Sequence, residues 1–324
     1  MTRFTRAAAR AAGGLDALPP AAGAVVMASA ILSVGLHLLG ARWASAVLFC
    51  LGLGAWSVLA AVFGRHLLYE RNKWRQEADT PPALTTVAAT AVLGTRIALF
   101  GNQPLSVTLL CASVLLWPLL MVHVLRHWEH KVPGAAYLVC VATQAIVVLA
   151  CVVAGAAGMR WLLWPALAFF ADGLVLYALV LRRFDLHQLR TGAGDHWIVS
   201  GAMAVSALAG SKLVVVTAGT QPSWQGVLHS SLRVITLAAL GVALFWYAVL
   251  LLCELRWPRP HYDVRRWSTV FPLAMTAVAA LSTAGALGIP GLWTLGEVLY
   301  WPALSVFVVV AVGAVRRLLR PATR

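Results

Sequence analysis

The chain has 324 residues, of which 61% are hydrophobic and only 11% are charged, and its formal net charge is +14. A soluble domain carries roughly 45–50% apolar and about 25% charged residues, so this composition excludes a soluble enzyme, a disordered chain and a secreted disulfide scaffold. The basic residues lie in short segments between apolar stretches, which favours anionic lipid headgroups as their partner and not nucleic acid.

A membrane helix needs about 20 mostly apolar residues, and ten stretches of the chain meet this requirement. They lie near residues 20–40, 43–64, 83–101, 105–125, 135–156, 161–181, 197–217, 229–252, 267–287 and 293–314. We expect an N-terminal tail over residues 1–19, one membrane domain over residues 20–316 and a C-terminal tail over residues 317–324. The first stretch is too long for a signal peptide and is followed at once by a second span, so we expect it to be retained.

The loops on the two sides of the predicted membrane differ in their basic residues. Twenty Lys and Arg residues lie in the tails and in the loops after even-numbered spans, whereas only Arg42 and Arg160 lie in loops after odd-numbered spans. Since basic loops tend to stay in the cytoplasm, both termini are predicted to be cytoplasmic in a multi-pass protein of the cell inner (plasma) membrane. Short connections then arrange the spans as five consecutive hairpins.

The odd-numbered and even-numbered spans differ in side-chain size. About half of the residues in the odd spans are Gly, Ala, Ser or Thr, against about a third in the even spans. Small residues let helices approach closely or surround a lumen, although ordinary helix packing uses them too. We therefore predict an all-α integral membrane fold of ten transmembrane helices, with an inner ring of five odd helices forming a pore and an outer ring of five even helices. Polar residues of the odd spans are candidates for the pore wall: Ser29, Thr90, Thr143, Gln144, Ser206 and Thr276.

Ionisable residues within a bilayer are costly and are therefore functional candidates. Those with a fixed charge in the predicted spans are Arg96, Asp172, Lys212, Arg233 and Glu297. Arg96 and Lys212 lie near the outer ends of odd spans, where they would form an electropositive vestibule that attracts anions; snorkelling to the interface is the alternative. Asp172 and Glu297 are candidates for proton transfer or for an ion pair.

Histidines near the span ends leave a redox alternative open. A transmembrane haem needs two histidines at matching depth, and His37 with His229, or His123 with His196, would satisfy this requirement. The five scattered cysteines favour neither a disulfide framework nor a zinc site, so no cofactor and no metal are expected. The chain contains no P-loop, Rossmann or hydrolase motif, so neither ATP-driven transport nor an enzyme is favoured.

The ninth span contains the most distinctive motif of the chain. Pro272, a few residues into the predicted helix, removes a backbone hydrogen bond and bends the helix, and it places the ring of Phe271 at the bend. A large apolar ring among small side chains can close a narrow lumen by filling and dewetting it. An ordinary packed phenylalanine is the alternative interpretation.

The stretch Trp267-Ser-Thr-Val-Phe-Pro-Leu-Ala-Met275 resembles the W-S-x-x-F-P-L segment of the tellurite-resistance/C4-dicarboxylate transporter family. This family includes bacterial TehA-type channels, yeast malate and sulfite permeases and the plant guard-cell slow anion channel. Val26-Met-Ala-Ser-Ala-Ile-Leu-Ser33 is similar to the family's first-helix M-A-T-G-I-V-S, with Ser29 and Ala30 in place of Thr and Gly. Val141-Ala-Thr-Gln144 and Asp195-His-Trp197 are similar to bacterial members, and the resemblance extends from about Pro20 to Arg317.

The resemblance implies five hairpins around an inner five-helix pore, a homotrimer with one pore per subunit, and permeation of small anions. It also implies that Phe271 occludes the pore. Members differ in substrate, which leaves chloride or nitrate, tellurite, sulfite and C4-dicarboxylates open. We expect an anion channel or permease gated by Phe271; the alternatives are a proton-coupled dicarboxylate or sulfite exporter and a membrane haem redox protein. A non-conducting scaffold would not need a ring of small residues.

Overall fold

The computed structural model describes residues 22–128, 130–218, 223–259 and 263–319. The predicted N-terminal tail, residues 1–19, and the last five residues, 320–324, lie outside these ranges. The described part of the chain is almost entirely helical and contains no β-strand beyond one isolated bridge between Val132 and Phe184.

Twelve α-helices follow one another in the described ranges. They are α1 (Gly23–Leu38), α2 (Arg42–Tyr69), α3 (Arg71–Ala78), α4 (Thr85–Leu99), α5 (Gln103–Arg126), α6 (Leu138–Ala156), α7 (Leu163–Arg183), α8 (Gln188–Thr191), α9 (Ile198–Thr217), α10 (Ser223–Arg256), α11 (Trp267–Leu287) and α12 (Pro290–Leu319).

The described residues include nine helices that are long and apolar enough to cross a membrane. These nine helices match the second to tenth predicted spans, so the multi-pass membrane character predicted from composition is confirmed. The first predicted span corresponds to α1, which is equally apolar but has 16 residues in the described part of the chain. A helix of that length rises about 24 Å, less than the roughly 30 Å of a bilayer core, so the tenth span stays a prediction.

The membrane helices fall into two groups by burial. The apolar windows that contain α4, α6, α9 and α11 are 83–89% buried, whereas those of α2, α5, α7, α10 and α12 are only 11–39% buried. In α1, 13 of 16 residues are buried. We refer to α1, α4, α6, α9 and α11 as the buried helices and to α2, α5, α7, α10 and α12 as the peripheral helices.

The buried helices contact one another in a closed order. Helix α1 packs on α4, α4 on α6, α6 on α9, α9 on α11, and α11 returns to α1. Each buried helix also packs on the peripheral helix that follows it in the chain. Small side chains allow the buried helices to pack this closely. At Gly201 of α9, for example, an added Cβ would lie 2.9 Å from Cγ of Pro272 in α11.

The two ends of the helix bundle differ in their connections. At one end, short connections such as residues 39–41 and 288–289 join α1, α4, α6 and α11 to the peripheral helices that follow them. At the other end, the longer connections and the helix ends beside them carry most of the Lys and Arg residues in the described part of the chain. We call the second end, where the buried helices begin, the basic end, and the first end the far end.

Some helix ends and two short helices differ from the sequence prediction. The second span was predicted over residues 43–64, but α2 continues to Tyr69, and the eighth, predicted over 229–252, lies within the longer α10. Hydropathy windows stop at the first polar residues, whereas the backbone hydrogen bonds of a helix can continue through them. The sequence analysis also missed α3 and α8, which are too short and too polar to resemble a span.

The contact between Gly201 and Pro272 predicts a specific packing defect. Gly201→Leu would push α9 away from α11 and lower the free energy of unfolding by about 1–3 kcal/mol, because the proline ring cannot move aside easily. The measurement is the thermal unfolding midpoint of the detergent-solubilised protein. Gly54→Leu is the matched control, since nothing lies within 4 Å of a Cβ at Gly54; equal midpoints for the two variants would contradict the prediction.

Candidate functional site

A cavity lies at the centre of the buried helices. Its volume is about 60 Å³, and each of the five helices contributes three residues to its lining. They are Ile31, Val34 and Leu38; Val92, Thr95 and Leu99; Ala145, Val148 and Val152; Val205, Leu208 and Lys212; and Met275, Val278 and Ser282. A water molecule needs about 10–15 Å³, so the cavity has room for a few waters or one small ion.

The lining residues have the same spacing on all five helices. In α1 they are residues 31, 34 and 38, and the steps of three and four recur in α4, α6, α9 and α11. Such steps return to one face of an α-helix, so each buried helix turns a single stripe toward the cavity. The stripes lie in the C-terminal halves of α1 and α4 and just past the middle of α6, α9 and α11, which places the cavity slightly nearer the far end.

The lining is apolar apart from three side chains. Thr95 and Ser282 contribute hydroxyls, and Lys212 is the one charged residue among the lining residues of the described chain. Branched aliphatic side chains make up most of the remainder. An ion in this cavity would therefore meet one positive charge and would find no carboxylate in the wall.

Phe271 continues the stripe of α11 toward the basic end. It precedes Met275 by four residues, about one helical turn, and only 2% of its surface is exposed. One turn before the stripes of the other helices are Met27, Ala88, Val141 and Gly201. All four side chains are smaller than phenylalanine, so Phe271 has the bulkiest side chain at this position of the five helices, although it is not itself among the lining residues.

The start of α11, one turn before Phe271, is held by charged residues at the basic end. Asp263 caps the preceding turn by accepting a hydrogen bond from the backbone N–H of Arg265 at 2.8 Å. Burial alone would raise the pKa of the Asp263 carboxyl, but the hydrogen bonds and charge of Arg265 outweigh this and lower it. Arg266 pairs with Glu254 of α10 at 2.7 Å, so the first turn of α11 is tied to a neighbouring helix.

Two of the predicted wall residues face the peripheral helices. The hydroxyl of Thr90 accepts a hydrogen bond from the indole N–H of Trp56 in α2 at 3.0 Å. The hydroxyl of Thr143 accepts one from the indole N–H of Trp117 in α5 at 2.8 Å. Both threonines therefore join a buried helix to a peripheral one.

The other four predicted wall residues also lie outside this cavity lining. Gln144 donates to the backbone carbonyl of Phe170 in α7 at 3.0 Å, and Ser29 lies opposite Gly52 of α2. Ser206 and Thr276 donate to carbonyls of their own helices, at 2.9 Å in each case. The six residues lie one or two positions from the stripes, which turns them by about 100–200° around the helix axis.

The predicted charged residues are separated by the structure. Lys212 lines the cavity, whereas Arg96 is buried at the contact of α1, α2 and α4. Asp172 is exposed on α7, and Glu297 is exposed on α12, where it accepts a hydrogen bond from the indole of Trp293 at 2.8 Å. The structure therefore brings neither carboxylate to the cavity.

Two of the histidines considered for haem binding have polar neighbours of their own. Nδ1 of His123 lies 2.9 Å from a carboxylate oxygen of Asp79, and Nδ1 of His229 lies 3.1 Å from the hydroxyl of Thr217. His37 lies near the end of α1, and His196 is fully buried before α9. Within the described ranges, no group of three or more His, Cys, Asp or Glu side chains is placed to hold a metal ion.

Comparison with known proteins gives one family match and two similar sequences. A family model described as voltage-dependent anion channel (SLAC1) matches residues 17–315. Uncharacterized membrane proteins from two strains of Mycobacterium tuberculosis are each 29% identical to this chain over 151 residues, which cover 44% of this chain and 74% of the relative.

The hydrogen bond between Thr143 and Trp117 predicts a stability effect. Thr143→Val leaves the indole N–H of Trp117 without its acceptor inside the protein, which should cost about 1–3 kcal/mol. Trp117→Phe removes the donor, so Thr143→Val should destabilise the Trp117→Phe variant by much less. Thermal unfolding of the two single variants and the double variant measures the coupling; additive losses would show that the bond contributes nothing.

Proposed function

The chain belongs to the voltage-dependent anion channel family, and from this premise we propose that it is a membrane anion channel or permease whose pathway runs through the central cavity. The observation that carries the proposal is the common stripe of three lining residues on each of five helices. A solid core of packed side chains would not contain a single cavity lined by three residues from each of the five helices.

The proposed pathway uses the two groups of helices differently. The buried helices form an inner ring around the pore, and the peripheral helices form an outer ring against lipid, in five hairpins. Their closed order of contacts and their difference in burial support this arrangement. The basic end faces the cytoplasm of the inner (plasma) membrane, because basic loops tend to remain there.

The chemistry of the lining supports a small anion as the permeant species. Lys212 favours a negative charge, and aliphatic walls offer few groups that could bind it tightly, which permits release. A C4-dicarboxylate would bring a second negative charge to a lining with one cation. Chloride, nitrate or another small anion therefore fits the lining better than a dicarboxylate, and flux across reconstituted liposomes against a panel of anions tests this directly.

The proton-coupled exporter has weaker support than the channel. Asp172, its candidate proton carrier, is exposed on a peripheral helix and is absent from the cavity lining.

The homotrimer implied by the family resemblance is retained as a proposal. Contact between copies would cover the carboxylate of Asp172, which otherwise lies exposed at mid-length of α7.

Phe271 is the proposed gate at the basic-end boundary of the cavity. Phe271→Ala removes the bulky ring and should raise anion flux several-fold in reconstituted liposomes, because the dewetted constriction would widen. Phe170→Ala is the control: Phe170 is similarly buried, with 3% of its surface exposed, but it lies on the peripheral helix α7 and not on a helix that lines the cavity. Unchanged flux in Phe271→Ala, or an equal rise in both variants, would argue against the gate.

Lys212 is the proposed cation that attracts anions into the cavity. Lys212→Met keeps the length of the side chain and removes its charge, so anion conductance should fall several-fold, most strongly at low ionic strength. Lys212→Arg should retain most of the conductance. Single-channel or macroscopic currents across a planar bilayer measure both variants; equal losses in both would assign to Lys212 a packing role only.

A further inference from the structure

Arg96 carries a buried positive charge that no acidic side chain neutralises in the described part of the chain. Only 1% of its surface is exposed. Its Nε donates to the hydroxyl of Ser33 at 3.1 Å, and Nη2 donates to the hydroxyl of Ser45 at 2.9 Å. The guanidinium carbon lies 4.1 Å from the ring centroid of Phe100, and Nη1 has no hydrogen-bond partner.

The two serines form a clamp that leaves the charge intact. The Ser33 hydroxyl donates to the carbonyl of Ser45 at 2.7 Å, and the Ser45 hydroxyl donates to the carbonyl of Ser33 at 2.6 Å. With both hydroxyl hydrogens engaged, the two oxygens face the guanidinium as acceptors. Neutral acceptors hold Arg96 in place and leave its charge intact, whereas a carboxylate would neutralise it.

Arg96 lies directly behind the wall of the central cavity. Its chain neighbour Thr95 lines the cavity, as does Leu99 one turn further along α4. Ser33 precedes Val34, which lines the cavity from α1. The guanidinium is therefore in the far-end half of the pore, the half that also contains Lys212.

Packing alone gives no reason to place a cation here. Burying an unpaired charge in a membrane protein costs several kcal/mol, and an apolar or neutral side chain of similar size would avoid that cost. A charge that is retained without a counter-ion produces a field in the neighbouring low-dielectric cavity. Because an arginine stays protonated in proteins, this field does not depend on pH.

We propose that Arg96, clamped by Ser33 and Ser45 behind the pore wall, determines the preference of the channel for anions over cations. The proposal rests on the proposed function, because it requires that ions pass through the central cavity. Arg96 acts on the permeating ion through space and does not line its path.

The test is the ratio of chloride to potassium permeability, obtained from reversal potentials across planar bilayers in an asymmetric KCl gradient. Arg96→Gln removes the charge and should lower this ratio several-fold, and Arg96→Lys should retain most of it. The loss should shrink as the ionic strength of both solutions is raised together, since salt screens a field but does not repair a packing defect.

A second pair of variants keeps the test independent of the folding of Arg96→Gln. Ser45→Asp places a carboxylate on the guanidinium, so it should lower the permeability ratio as Arg96→Gln does while Arg96 stays in place. Ser45→Ala is the matched control; it removes the hydrogen bonds of the Ser45 hydroxyl to Arg96 and to the Ser33 carbonyl, keeps the charge of Arg96 and should leave the ratio unchanged.

The outcomes separate this inference from the proposed function. If the unaltered protein carries no anion current, the proposed function fails. If it conducts anions, but Ser45→Asp and Ser45→Ala give the same ratio as the unaltered protein, the assignment of Arg96 is overturned. Equal losses in the two Ser45 variants would also overturn it, because they would point to packing in place of charge.

Discussion

The whole arrangement depends on how closely the buried helices can approach one another. Gly, Ala, Ser and Thr side chains allow five helices to contact in a closed order, as the fit of Gly201 against Pro272 illustrates. In lipid there is little hydrophobic gain from association, so such contacts must supply the attraction. Where the stripes of the five helices meet, mostly branched aliphatic side chains surround a cavity of about 60 Å³.

Two positive charges lie at different distances from this central cavity. Lys212 lines the cavity, whereas Arg96 lies one layer further out, where Ser33 and Ser45 accept its hydrogen bonds. A lining cation can bind a passing anion and delay it. In the proposed channel, a cation behind the wall would attract anions without contacting them, so Lys212 and Arg96 would act on a passing ion in different ways.

Sequence patterns predicted the membrane class, nine spans that are helices long enough to cross a membrane, and the presence of two kinds of helix, because these properties depend on composition averaged over about 20 residues. They did not predict which side of each helix faces the centre. The hydroxyls of Thr90 and Thr143 favour a place in the pore wall, but both accept hydrogen bonds from tryptophans of the peripheral helices. A helix rich in small residues on every face has no amphipathic stripe, so its rotation is fixed only by contacts with other helices. Lys212 stands out in the sequence because charge is rare within the spans, and the structure places it in the lining of the cavity.

The contact between α11 and α1 has a consequence for biogenesis. These helices lie at opposite ends of the chain, so a nascent protein inserts four hairpins before the element that completes the circle has been synthesised. Until then the small-residue faces of α1 and α9 have no neighbour on one side and are open to lipid. A chain that stops before α11 would leave the buried helices in an open arc, without the contact between α11 and α1.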